Sequence, residues 1–174
     1  MKIAIIGVPG SGKSTIAALL AEEMNLSYIP ELFENNPYIT QPGVPQELVT
    51  LFQQQNIHRQ YLSKARGVFD TTADSSKHIF LNEAERGYLL YLMGNMSYSH
   101  QYTNTIALYA SFNVIKNRIK ERNRIGLVNR ELEMLDVWYT NYMNYLDSMT
   151  YDLTIINANQ SIEKIVSDCV TEIT

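Results

Sequence analysis

The sequence predicts an α/β fold in three layers, a five-stranded parallel sheet flanked by helices, as one domain over residues 1–174. Three observations predict it. Short apolar, β-branched segments alternate with longer helix-forming ones from end to end. The first such pair is joined by a glycine-rich loop. No repeat, low-complexity tract or linker divides the chain. Parallel strands joined through helices imply right-handed crossovers.

Lys2-Ile3-Ala4-Ile5-Ile6 is apolar and β-branched and reads as a buried first strand. Ile16 to Met24, rich in Ala, Leu and Glu, reads as the first helix. Leu26 to Glu31 reads as a second strand ending in an acid. Asn35, Asn36, Pro37, Pro42, Gly43 and Pro45 then mark a loop, because each disfavours regular structure. A long helix is expected over Gln46 to Ala65, and Gly67-Val68-Phe69-Asp70 is a brief third strand, again ending in an acid. Helices are expected over about Ser75 to Met93, Asn113 to Arg122 and Glu131 to Met149. Thr105 to Tyr109 and Leu153 to Ile156 read as the fourth and fifth strands, and a last helix starts at Ser161. Ligands of such sheets sit at the C-terminal strand ends. The glycine loop, Glu31 and Asp70 all fall there.

The loop itself, Gly7-Val8-Pro9-Gly10-Ser11-Gly12-Lys13-Ser14-Thr15, satisfies the pattern G-x-x-x-x-G-K-[ST] between a strand and a helix. Glycines let backbone N–H groups converge on phosphate oxygens with no Cβ in the way. The helix N-terminus adds partial positive charge. Lys13 is placed to reach the β- and γ-phosphates, and Ser14 to ligate Mg²⁺. The alternative, a plain Gly-rich turn, leaves this spacing unexplained. The expected ligand is a nucleoside triphosphate on a P-loop NTPase-type sandwich.

A net charge of −4 and a pI near 5.4 argue against a nucleic-acid polymer or an anionic membrane as partner. The lone Cys169 has no internal disulfide partner, which suits a reducing compartment. The first strand begins at residue 2, leaving no room for a cleaved leader, and no apolar run nears the roughly 20 residues that cross a bilayer. A cytoplasmic location is expected.

Phosphoryl transfer needs a phosphate cradle, a metal, and a group to orient and deprotonate the acceptor hydroxyl. Glu31, at the end of its strand, is the candidate general base, and Asp70 the candidate second holder of Mg²⁺, directly or through water. Strand-end acids also cap helices or pair with lysines, so both readings stand on spacing alone. Arg118 and Arg122 share one helical face, with Arg124 just beyond and a break expected at Gly126. A lid over residues 118–130 would let them neutralise charge on the transferring group. A solvated basic face with Lys116, Lys120 and Glu121 is the competing reading. His58, His78 and His100 lack metal spacing. Trp138, Tyr139, Tyr142 and Tyr145 recur at helical spacing, as core or as a subunit contact. Phe33 and Tyr38 flank the acceptor loop and are candidates for a base pocket.

The chain resembles the deoxynucleoside kinase family of P-loop phosphotransferases. Tyr28-Ile29-Pro30-Glu31 and Asn36-Pro37 are similar to the strand ending in the family's catalytic Glu and the loop after it. Gln53 is similar to the base-binding Gln, and Tyr61 falls on its aromatic position. Val68-Phe69-Asp70 takes the place of the Asp/Glu-Arg-Ser motif, with Ile79-Phe80 as the apolar pair that follows. Arg118, Arg122 and Arg124 have the spacing of the lid arginines. Asn157-Ala158-Asn159 resembles the loop that holds the donor base, which makes Asn159 a donor-binding candidate. The resemblance implies an ATP- and Mg²⁺-dependent kinase acting on a small nucleoside, with a homodimer through helices.

The chain also departs from the family. Thr71 replaces the Arg of the Asp/Glu-Arg-Ser motif, so another cation must cover that role. Ser76 stands at a base-contacting Asp, Gly126 and Leu127 stand where a lid Glu would meet the sugar, and the segment from Met93 to Thr105 is short. Three functions therefore stay open. The first is phosphorylation of a (deoxy)nucleoside 5′-hydroxyl. The second is a nucleoside monophosphate kinase, with Arg59 near Gln53 as the cation for the acceptor's phosphate. The third is a nucleotide-binding switch without turnover.

Overall fold

The computed structural model describes residues 1–30, 66–71, 73–74, 77–78, 102–122, 127–148 and 153–174. The described elements are β1 (Lys2–Ile6), α1 (Lys13–Glu23), β2 (Ser27–Ile29), β3 (Gly67–Asp70), β4 (Ala73–Asp74), β5 (Lys77–His78), β6 (Asn104–Tyr109), α2 (Phe112–Glu121), α3 (Leu127–Asp147), β7 (Thr154–Asn157) and α4 (Ile162–Ile173).

Five of the strands form one sheet in the order β2-β3-β1-β6-β7, every neighbouring pair parallel. The chain forms the three-layer α/β sandwich that the sequence predicts, with α1 packed on α4 and α2 on α3. Strand β1 is central because its residues Ile3 to Ile6 are buried on both faces, as a covered parallel strand must be. It pairs on one side with β3, Ile5 opposite Asp70, and on the other with β6, Ile6 opposite Ala107. The connection leaving β1 runs towards one edge of the sheet and that leaving β6 towards the other. A crevice therefore opens at their C-terminal ends.

The core is continuous across both faces of the sheet. Ile16, Ala17 and Leu20 of α1, Val68 and Phe69 of β3, Ile106 and Leu108 of β6, and Ile165 and Cys169 of α4 are all buried. Trp138, Tyr142 and Tyr145 are buried as well, so these helical aromatics are core and a helix-mediated dimer would not use them. The phenols on this helix are tied in: Tyr142 donates to the Leu108 carbonyl and Tyr139 to the Ala110 carbonyl, both at 3.1 Å. Burial, and the charge a neighbouring Tyr139 phenolate would carry, push the Tyr142 phenol well above its ordinary range.

One element differs from expectation. The sequence predicts a helix from Ser75, but Lys77–His78 pairs antiparallel with Ala73–Asp74. Asp and Ser are favoured in turns as much as at helix starts, so the local sequence does not separate the two and the antiparallel pairing decides it. The helix expected over Gln46 to Ala65, and the remainder of the one to Met93, lie outside the described residues. Among the described residues, no helix is long and apolar enough to cross a membrane.

Candidate functional site

The glycine loop leaves β1 at Gly7 and enters α1 at Lys13. Gly10 and Gly12 have φ of +86° and +95°, the left-handed region that side chains disfavour. A Cβ on Gly10 would also lie 3.0 Å from the Ile115 carbonyl oxygen of α2. The loop is closed internally by the Ser11 N–H, which donates to the Val8 carbonyl at 3.1 Å. Ser11 is packed inward: a Cβ on Gly7 would sit 2.5 Å from its Oγ.

The helix behind the loop is left electrically open. Gly12 caps it without a side chain, and its first turn carries no acid. The orphan N–H groups and the positive end of the dipole are thus presented to whatever anion sits in the loop. Lys13 and Ser14 are the first two residues of that helix, both part-exposed, and Thr15 is exposed beside them.

Asp70 ends β3 and is buried. Because β3 lies directly beside β1 with Ile5 opposite Asp70, its carboxylate arrives beneath the start of α1. Ser14 Oγ donates to Asp70 Oδ2 at 2.6 Å, the length of a charge-assisted bond. A hydroxyl and a carboxylate together make a hard-oxygen pair of the type that holds Mg²⁺ alongside water and phosphate oxygens. Thr71, the next residue, is fully buried, and its backbone N–H extends the ladder to the Ile5 carbonyl. It is short, uncharged and enclosed, so it does not stand in for the Arg that the resemblance would place there.

A cavity of about 250 Å³ adjoins the loop. Gly10, Ser11, Gly12, Thr15 and Ile16 form one wall, Arg118 and Arg122 of the α2 end another, and Ile162 and Ile165 of α4 a third, apolar one. The two arginines are held differently. Arg118 Nη2 donates to the Ala158 carbonyl at 2.7 Å, clamping the loop after β7. Arg122 Nη1 lies 3.9 Å from Glu131 Oε1 of α3. Asn159 is engaged with the protein: its Oδ1 accepts from Ser111 N–H at 2.9 Å, and its Nδ2 donates to Asn157 Oδ1 at 2.8 Å. Asn159 thereby ties the loop to the start of α2, which shapes the cavity without lining it.

The structure thus brings together Gly7, Gly10, Ser11, Gly12, Lys13, Ser14, Thr15, Asp70, Arg118 and Arg122, while Asn159 stands behind the cavity wall. Glu31, Phe33, Tyr38, Gln53, Arg59 and Arg124 lie outside the described residues. Sequence reasoning missed Glu131, Ile162 and Ile165. It starts the third described helix at Glu131, whereas α3 begins at Leu127. That shift puts Glu131 inside the helix on the face of buried Leu135, the signal that would have marked it as inward-facing.

A family model described as AAA domain matches residues 3–136, which takes in the glycine loop, Asp70, both cavity arginines and Glu131. The chain belongs to the AAA domain family. A search of curated proteins finds no match. Among solved structures this AAA domain is similar to deoxyadenosine kinase from M. mycoides with bound dCTP. The TM-score is 0.80 and the identity 22%, over 99% of this chain and 98% of that one. The same enzyme with bound dATP gives a TM-score of 0.75 and 20% identity, over 99% of each chain. A gluconokinase from Sinorhizobium meliloti 1021 is similar at a TM-score of 0.61 and 17% identity, over 98% of this chain and 89% of that one. The shared property is the fold, a three-layer α/β sandwich of P-loop NTPase architecture.

Proposed function

We propose that this AAA domain protein is an ATP- and Mg²⁺-dependent phosphotransferase that phosphorylates the 5′-hydroxyl of a small (deoxy)nucleoside. The observation that carries the reading is the junction of an uncapped, acid-free helix start with the Ser14–Asp70 pair. A triphosphate in the loop would be met by the backbone N–H groups of α1 and by Lys13. Ser14 and Asp70 fit a Mg²⁺ ion by donor type, and the ion, when bound, would neutralise charge on the phosphoryl group being transferred. Arg118 and Arg122 line the adjoining cavity and are cations within reach of the donor. Glu31 is the proposed base. The acceptor oxygen attacks the γ-phosphorus, the bond to the β-phosphate oxygen breaks, ADP leaves, and the hydroxyl proton passes to the Glu31 carboxylate.

The fold likeness supports a nucleoside acceptor because the M. mycoides enzyme is described as a deoxyadenosine kinase, in one form with the product dCMP bound. Gln53, Phe33 and Tyr38 are the proposed acceptor contacts, and Arg124 and Asn159 complete the proposed donor side. The deciding experiment is ADP release from Mg-ATP with a panel of nucleosides, deoxynucleosides and their monophosphates. Turnover with one or a few nucleosides is expected. Turnover confined to monophosphates would overturn the acceptor assignment and direct attention to Arg59. ATP binding without turnover on any acceptor would overturn the enzyme reading.

A further inference from the structure

Arg118 and Arg122 face the same cavity, yet of the two it is Arg118 whose guanidinium is fixed by a hydrogen bond to main chain. Arg122 is where α2 ends. Its own N–H donates to the carbonyls of both Arg118 and Ile119 at 3.2 Å, while φ −70° and ψ 119° turn the chain out of the helix. The backbone at this residue is therefore pinned, and the direction of its long side chain is the variable left to set. Glu131 faces it. The Glu131 side chain is 11% exposed against 28% for Arg122, so the carboxylate is the more buried of the two. A separation of 3.9 Å is ionic attraction, longer than a hydrogen bond. Such a contact biases the guanidinium in one direction and leaves its N–H donors able to meet phosphate oxygens.

We propose that Glu131 is a positioning residue that aims Arg122 across the cavity at the donor phosphates. The proposal rests on the phosphotransferase reading for its substrate, and on the Arg122–Glu131 geometry for its mechanism. The two arginines then have separate roles, Arg118 holding the loop after β7 and Arg122 answering the ligand.

The test is a double-mutant cycle of Glu131→Gln and Arg122→Gln, read in kcat, in KM for the acceptor and in the dissociation constant for ATP by calorimetry, with urea midpoints as a folding control. The amide that replaces the Glu131 carboxylate is nearly isosteric but uncharged. Glu131→Gln is expected to lower kcat by about tenfold, the usual scale for a group acting through another, with acceptor KM and urea midpoint unchanged. The double variant is expected to lose no more than Arg122→Gln alone. Losses that add, or no loss from Glu131→Gln, would overturn the proposal while leaving the kinase reading intact. A wild-type protein that binds ATP without turnover would sink that reading, and the cycle in ATP affinity would still decide the Arg122–Glu131 coupling. A wild-type protein that does not bind ATP overturns both.

Discussion

Helices α1 and α4 both follow a parallel strand of one sheet and pack against each other, yet their N-termini are built in opposite ways. At α4, Ser161 caps the helix through its side chain, accepting from Lys164 N–H, and Glu163 places an acid in the first turn. That end meets one of its own donors and balances its own dipole. At α1, the cap is a left-handed glycine, no side chain caps the turn and no acid sits in it. The same topology gives one closed end and one open end. The difference teaches where to look for a ligand: at a helix start left unsatisfied, as the α2 start also is, but where in addition Lys13, Asp70 and two arginines gather.

The largest blow to the open end is Lys13→Ala. On the proposed reading it removes the charge that would meet the donor phosphates, and turnover should fall by about 10³-fold or more, measured as initial rates with the best acceptor. Asp70→Asn keeps the size of the Ser14 partner and deletes its charge. A loss of about 10- to 100-fold is expected, accompanied by a higher Mg²⁺ requirement in a metal titration. Thr15→Glu makes α1 resemble α4 by adding an acid to its first turn. Nucleotide affinity should drop by about tenfold, while the ligand-free protein keeps its melting temperature or gains slightly, since an acid there contributes about 0.3–1 kcal/mol to the helix. A Thr15→Glu protein that binds ATP as tightly as the parent would break the comparison.

The closed end should respond in stability alone. Burial pushes the Cys169 thiol of α4 up to about 12 from an ordinary 9.0, with the Asp168 charge adding to it. A folded pKa above the unfolded one means the contribution is fully present below about pH 9 and is lost as pH rises towards 12. Each such group tilts the unfolding free energy by about 1.4 kcal/mol per pH unit in that window. Cys169→Ala should flatten the alkaline slope in denaturant titrations at about pH 9 to 11, and the thiol should resist alkylation until the protein unfolds. The smallest effect is Ser161→Ala. Its capping bond is long at 3.4 Å, so a cost of about 0.5–1 kcal/mol is expected in urea, with ATP affinity within about twofold of the parent.

Much of this architecture is legible in the chain, for local reasons. Strand β1 falls on the apolar β-branched run Lys2–Ile6, and β3 on the brief segment ending in an acid, Gly67–Asp70. The glycine loop lies where its spacing says, because left-handed positions at Gly10 and Gly12 admit few other residues. Other features are poorly legible. The Asp74-Ser75-Ser76 run sits at the edge of a helical pattern that conceals a short ladder. The partner of Arg122 lies nine residues on, in a helix whose start has weak signals. Asn159 reads as a ligand contact from the sequence, and its bond to the Ser111 N–H is a second engagement that only the tertiary structure reveals.

By itself, the sequence determined the alternation of strands and helices, the open start of α1 and the acid at the end of β3, because each depends on residues within one turn or one strand of each other. Tertiary structure alone decided that β3, and not β2, would lie beside β1. That choice carries Asp70 across 56 residues of chain to within 2.6 Å of Ser14. Crossover connections set strand order, and no local propensity encodes which neighbour a returning strand will find.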